Sequence, residues 1–252
     1  MSEHMDRLSA LLSRFHIAVT VVPPGAGNLL IVGEADSLKP TRIELCNGPR
    51  TPAAGASAGN SEIVLVELLA AWGGPANPLL RALRQRISLS ISEDDETEAL
   101  VRVVLGEVRS RRCGVAAVLS RLGEIIFVRL VRAEIDKGVA ESGLLAGLSD
   151  PRISKALVAM HEHPGQSWRN DELADVAGLS LSRFADVFQA RLGQTPQSYL
   201  RNWRMTLAHQ DIVSGDRIKA VSRRYGYASS EALARAFQRQ FGKAPLAARR
   251  EA

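Results

Sequence analysis

His161-Glu162-His163 sets two imidazoles around a carboxylate, the side-chain types that hold a transition metal. On a helix, however, positions i and i+2 point away from each other, and no His-Glu-x-x-His spacing follows, so no metal is expected. His16, between Phe15 and Ile17, has no accompanying ligand set and reads as a packed or edge residue. A reactive thiol needs a basic, exposed setting. Cys113, beside Arg111 and Arg112, comes closer to that than Cys46, but an inert thiol is the expectation for both. The carboxylates at 93–98 run together as an acidic helix start rather than as a separated acid and base, and no Gly-rich phosphate loop occurs. Neither an enzyme nor a bound cofactor is expected.

The chemistry that remains is cationic. Residues 152–252 hold 16 Lys or Arg against 9 Asp or Glu, whereas residues 1–151 hold 16 against 18. A compact basic third suggests a polyanion partner, because neutralising phosphates releases counterions. A merely solubilising basic surface is the alternative. The 252 residues, 46% hydrophobic and 23% charged, have room for two ordinary domains. No apolar run reaches membrane-spanning length, and the opening "MSEHMDRLSALL" lacks the basic-then-apolar order of a signal peptide. With only two cysteines, a reducing cytoplasm is the expected location.

Residues 1–148 read as a sensor or dimerisation domain, partly β over 1–92 and helical over 94–148. Leu8, Leu11, Leu12 and Phe15 share one face of a short helix at 6–15. Strand-like pieces follow in "HIAVTVV", "NLLIVG" and "TRIEL", and "NGPRTPAAGASAGNSE" reads as a loop. In "DDETEALVRVVLGEVRS", Leu100, Val101, Val104, Leu105 and Val108 fall on one side of a helix. After a break at 111–114, "VAAVLSRLGEIIFVRLVRAEIDKG" gives a longer helix whose broad apolar face must be buried, either on the preceding region or on a second copy.

Residues 150–252 contain one phrase written twice. "GLSLSRFADVFQARLGQTP" and "GYASSEALARAFQRQFGKAP" each run from a turn glycine through a short helix to Gly-x-x-Pro. The intervals Phe188–Gly193 and Phe237–Gly242 are equal, as are Gly193–Pro196 and Gly242–Pro245. Each phrase is the second half of a helix-turn-helix. Leu173, Ala174 and Ala177 face Phe184, Val187 and Phe188 across Gly178, and Ile218, Val221 and Ser222 face Leu233, Ala236 and Phe237 across Gly226. Between them, Tyr199, Leu200, Trp203, Leu207 and Ile212 line one long connecting helix. Two such units at fixed spacing suit successive major grooves of DNA.

With "LADVAGLSLSRFADVFQARLGQTPQSYLRNWRMTLA" and "IKAVSRRYGYASSEALARAFQRQFGKAP", the chain resembles the AraC/XylS family of transcription regulators. The resemblance implies an all-α DNA-binding domain over 150–252. It also implies an α+β domain before it, a reduced cupin-like β part plus a helical hairpin, carried by "MDRLSALLSRF", "NPLLRALRQRISL" and "RRCGVAAVLSRLGEIIFVRLVRAEI". The strands visible in the sequence are fewer than a cupin barrel needs, and no Gly-Asp turn with a downstream His is found. The implied partners are double-stranded promoter DNA, a small-molecule effector, a second copy through 94–148, and RNA polymerase for an activator.

The family's reading positions fall on Ser182, Arg183, Ala185 and Asp186 in the first unit and on Ser230, Glu231, Ala234 and Arg235 in the second. Arg235 is the leading base contact, because a guanidinium pairs bidentately with guanine. Arg191, Arg201, Arg204, Arg223, Arg224, Arg239 and Lys243 are candidate phosphate contacts. Asp186 stands where the family more often has a long donor, Ser222 replaces a small apolar residue, Leu233 a common Phe, and Gln238 a common Lys or Arg. These departures bear on affinity more than on fold. Asp186, Glu231, Gln238 and the shortened front end motivate the alternative of a ligand-sensing or protein-interaction module with weakened or lost DNA binding.

Overall fold

The computed structural model describes residues 6–12, 17–47, 62–72, 78–91, 95–110, 112–138, 140 and 142–250. His16, Arg111 and most of the 47–62 loop lie outside them. The chain forms two compact units, one of residues 15–139 and one that joins residues 1–14 to 140–252. The first helix, α1 (Ser9–Leu12), therefore belongs to the second unit.

The 15–139 unit contains β1 (Ile17–Val21), β2 (Leu29–Glu34), β3 (Pro40–Cys46), β4 (Glu62–Trp72), α2 (Pro78–Ala82), β5 (Arg86–Ser90), α3 (Asp95–Ser110) and α4 (Val115–Lys137). Its five strands form one sheet in the order β1-β4-β2-β3-β5, with every neighbouring pair antiparallel. The three strand-like pieces of the sequence become β1, β2 and β3. Two further strands, β4 and β5, escape a periodicity reading. In β4 the buried Val66, Leu68 and Ala70 alternate with Leu65, Leu69 and Ala71, so apolar residues on both faces mask the two-residue period.

The broad apolar face of α4 settles on this sheet. Leu119, Ile126, Phe127, Leu130 and Val131 are buried, and a Cβ on Gly123 would meet Val19 Cγ1 at 2.4 Å, so the glycine permits the close approach. Gly114, in the left-handed conformation, turns α3 into α4, and Arg129 Nε donates to Thr97 Oγ1 at 2.9 Å across the hairpin. Val103, Val118 and Ile125 remain exposed on the two helices. Cys46 is buried and Cys113 exposed. Among the described residues no helix is long and apolar enough to cross a membrane.

The second unit continues with α5 (Leu144–Ser149), α6 (Ile153–Glu162), α7 (Asn170–Ala177), α8 (Leu181–Leu192), α9 (Pro196–Val213), α10 (Ile218–Arg224), α11 (Ser230–Phe241) and α12 (Pro245–Arg250). Its boundary falls earlier than the 148–150 expected from the sequence. The reason is α5, whose Leu144, Leu145 and Leu148 are buried and whose Gly147 leaves room for Leu157 and Leu192. α1 joins the same unit through packing on α6 and through Arg7 Nη1, which donates to the Leu148 carbonyl at 3.1 Å. Asp150 Oδ1 then accepts from the backbone of Arg152 and Ile153 and starts α6.

Candidate nucleic-acid interface

The helical unit holds two helix-turn-helix arrangements, α7 to α8 and α10 to α11, on either side of α9. In the first, Gly178 has φ 66°, and Leu179 N–H reaches back to the Ala174 carbonyl at 2.9 Å. In the second, Gly226 has φ 72°, and Tyr227 N–H reaches the Ser222 carbonyl at 2.8 Å. The two turns are built the same way. Leu173, Ala174 and Ala177 are buried against the α8 side, where Phe184 and Phe188 lie 5.5 Å apart between ring centroids and Phe188 meets Tyr199 of α9 edge-on. Val221, Ser222, Leu233, Ala236 and Phe237 form the matching layer of the second unit. Ser222 is tolerated there because its hydroxyl donates to the Lys219 carbonyl at 3.0 Å.

Helix α9 fixes the spacing. Thr195 caps it with Pro196 in its first turn. Gln197 Nε2 donates to the Trp168 carbonyl at 2.8 Å, while Arg204 donates from Nε to the Pro164 carbonyl at 2.5 Å and from Nη2 to the Gln166 carbonyl at 2.6 Å. The same Pro164–Gly165 loop touches the second turn. A Cβ on Gly165 would lie 2.2 Å from the Arg224 carbonyl oxygen, and one on Gly226 would lie 2.6 Å from the Gly165 carbonyl oxygen. His161 of the His-Glu-His triplet belongs to this core. Its Nε2 is 2.7 Å from Tyr199 Oη, and burial pushes its pKa down to about 3, so it is a neutral packed imidazole.

The expected reading residues lie on the solvent side of the second helix of each unit. Ser182, Arg183 and Asp186 are exposed on α8, opposite Phe184 and Phe188, and Ala185 is half-buried. On α11, Glu231 and Arg235 are exposed and Ser230 and Ala234 half-buried. A hydrogen bond from Ser229 and the Glu231 backbone N–H, with Arg235 nearby, hold the Glu231 carboxyl below the usual range, so this acid is tied into the start of α11. Ser229 Oγ accepts from Ala232 N–H at 3.1 Å at that same helix start. At the other end, Gln238 Nε2 donates to the Gly242 carbonyl, a helix-closing role in place of a phosphate donor.

The seven cations expected at phosphates divide by what holds them. Arg204 is fixed by the two carbonyls just described. Arg224 is gripped by Asp211 at 2.5 Å and Asp216 at 2.7 Å, which raises its already high pKa, and Arg191 lies 3.5 Å from Asp150. Lys243 is half-buried near His209. Arg201, Arg223 and Arg239 are exposed and carry no ion pair among the described residues. The structure brings Arg201, Arg204, Arg235 and Arg239 around one cavity of about 410 Å³ between α9 and α11, with Tyr227 and Gln197 also in its wall. Arg183, Arg191, Arg223, Arg224 and Lys243 are elsewhere. Tyr227 was missed by sequence reasoning, since an aromatic after a turn glycine reads equally well as core.

A model described as "Helix-turn-helix domain" matches residues 173–251, and one described as "Cupin" matches residues 16–136. The chain is 36% identical over 141 residues to a Streptomyces lividans protein named as an AraC-like transcription regulator, which covers 55% of this chain and 46% of that one. It is 32% identical over 174 residues to the HTH-type transcriptional regulator AlkR of Acinetobacter baylyi, covering 67% of this chain and 57% of that one. The chain belongs to the AraC family. It is also 33% identical over 141 residues to the RCS-specific HTH-type transcriptional activator RclR of Escherichia coli, covering 55% and 49% of the two chains. It spans about half the length of these AraC-family relatives. The cupin match spans the five-stranded sheet, which gives the AraC-type helical unit its α+β companion and adds β4 and β5 to the three strands visible in the sequence.

Proposed function

We propose that this protein is a sequence-specific DNA-binding transcription regulator of promoters in the cytoplasm. The observation that carries the reading is the matched pair of helix-turn-helix units on one pinned helix, in a region with an excess of seven basic residues. In this reading α8 and α11 enter neighbouring major grooves, with Arg235, Arg183, Ser182, Asp186, Ser230 and Glu231 facing base edges. Arg201, Arg223 and Arg239 contact phosphates. Arg204 and Arg224, held by internal partners, support the scaffold and add to the positive field. The relatives' names as transcription regulators support the same role.

The sheet unit acts as the control element, taking a small-molecule effector or pairing with a second copy through 94–148. RNA polymerase is a partner where the protein activates. Selection of the purified full chain on a random duplex library tests the reading. Enrichment of an asymmetric site spanning two adjacent grooves, with log affinity falling steeply against log salt, is the expected result. Failure to enrich any site, with and without the isolated helical unit as comparison, refutes it and favours the protein-interaction alternative.

A further inference from the structure

The cavity between α9 and α11 has a composition that surface arginines alone do not explain. Gln197, Arg201 and Arg204 form a stripe along α9, and Arg235 and Arg239 stand one turn apart on α11, while Ala232 and Ala236 keep the floor open. Among the described residues four guanidinium groups line it, and no carboxylate does. Arg204 is immobilised by the Pro164 and Gln166 carbonyls, which fixes one positive wall. The hydroxyl oxygen of Tyr227 is buried in that setting and has no hydrogen-bond partner among the described residues. A buried hydroxyl ordinarily has one. Burial also pushes the Tyr227 pKa above its ordinary value, so the group is a neutral donor.

We propose that this cavity is a pocket for one backbone phosphate of the bound DNA, with Arg201 and Arg239 pairing its oxygens and the Tyr227 hydroxyl donating to it. The proposal rests on the DNA-binding reading above and deepens it. A volume of about 410 Å³ exceeds a single phosphate and leaves space for an adjoining sugar, which favours a nucleic-acid backbone over a free ion. Because Arg235 shares the wall, a phosphate seated here holds α11 in register and presents Arg235 at the edge of the groove it reads. Phosphate contacts of this type set position, and base contacts then specify.

The test uses the full chain and its selected duplex, made as a series with a single neutral methylphosphonate at each successive position. In the wild-type protein one position in the half-site read by the second unit should cost the most affinity. Arg201→Gln should shrink the penalty at that position only, because Arg239 still pairs the phosphate, leave the preferred sequence unchanged, and reduce the slope of log affinity against log salt by about 0.9. Tyr227→Phe, which keeps the ring, should weaken binding several-fold at that phosphate with the salt slope unchanged, as removal of a neutral donor requires. Methylphosphonate profiles identical to wild type in both variants overturn the pocket while leaving DNA binding intact. A wild-type chain that binds no duplex overturns the functional reading and the pocket with it.

Discussion

Alanine at the two turn glycines should have unequal effects, and the inequality follows from the structure. Gly178 and Gly226 both have positive φ, 66° and 72°, where an L-residue costs roughly 1–2 kcal/mol. A Cβ at Gly178 meets nothing within 4 Å among the described residues, so Gly178→Ala carries that conformational cost alone. At Gly226 the Cβ would also sit 2.6 Å from the Gly165 carbonyl oxygen, a backbone atom held in place because Arg204 grips the carbonyls on either side of Gly165. Relief of such an overlap costs about 1–3 kcal/mol more. The restricted unfolded chain of an alanine variant returns about 0.4–1 kcal/mol in both cases and cancels in the comparison. Gly178→Ala is therefore expected to destabilise by about 1 kcal/mol and Gly226→Ala by about 2–4 kcal/mol. Urea unfolding followed by tryptophan fluorescence in a Trp72→Phe background reports on Trp168 and Trp203 of the helical unit alone. Equal losses for the two variants would refute the close loop-to-turn packing.

Three further outcomes are expected. Arg235→Ala should weaken binding to the selected site by about 1–3 kcal/mol and relax base preference at one position, read by repeating the duplex selection. Arg204→Met should destabilise the helical unit by about 2 kcal/mol in urea, because two carbonyls lose charge-assisted donors. His161 is buried neutral with a pKa lowered to about 3, whereas the unfolded chain titrates near the ordinary 6.5. Between those values the unfolded state binds the extra proton, so stability falls as pH drops below 6.5, by up to about 1.4 kcal/mol per pH unit. Unfolding free energies from pH 7 to pH 5 should show this slope in the wild type and a shallower one in His161→Phe.

Legibility tracked how local the determining physics was. Both helix-turn-helix units were readable because a left-handed glycine, a small residue at the crossing and a buried phenylalanine are each fixed by sequence distance: Ala174, Gly178 and Phe188, then Ser222, Gly226 and Phe237. The buried stripe of α9 was likewise visible from Tyr199 to Ile212. Strands β4 and β5 were not, since β4 is apolar on both sides and β5 is short with only Ile87 fully buried. The division near residue 140 was hidden because α1 and α5 join the helical unit through contacts remote in sequence, such as Arg7 with Leu148. Likewise, nothing local marks Arg204 and Arg224 as scaffold cations, or brings Tyr227 beside Arg201 and Arg239. These assignments depend on α9, the 164–166 loop and α11 meeting in three dimensions.

The central claim is that one chain reads two neighbouring major grooves with α8 and α11. Methylation interference at guanine N7 across the selected duplex tests it most directly, since that atom lies on the major-groove edge. Two clusters of interfering guanines, centred about 10 base pairs apart on one face of the helix, are predicted, with Arg235→Ala erasing signal from one cluster only. A single cluster, or binding indifferent to methylation in both grooves, would contradict the account.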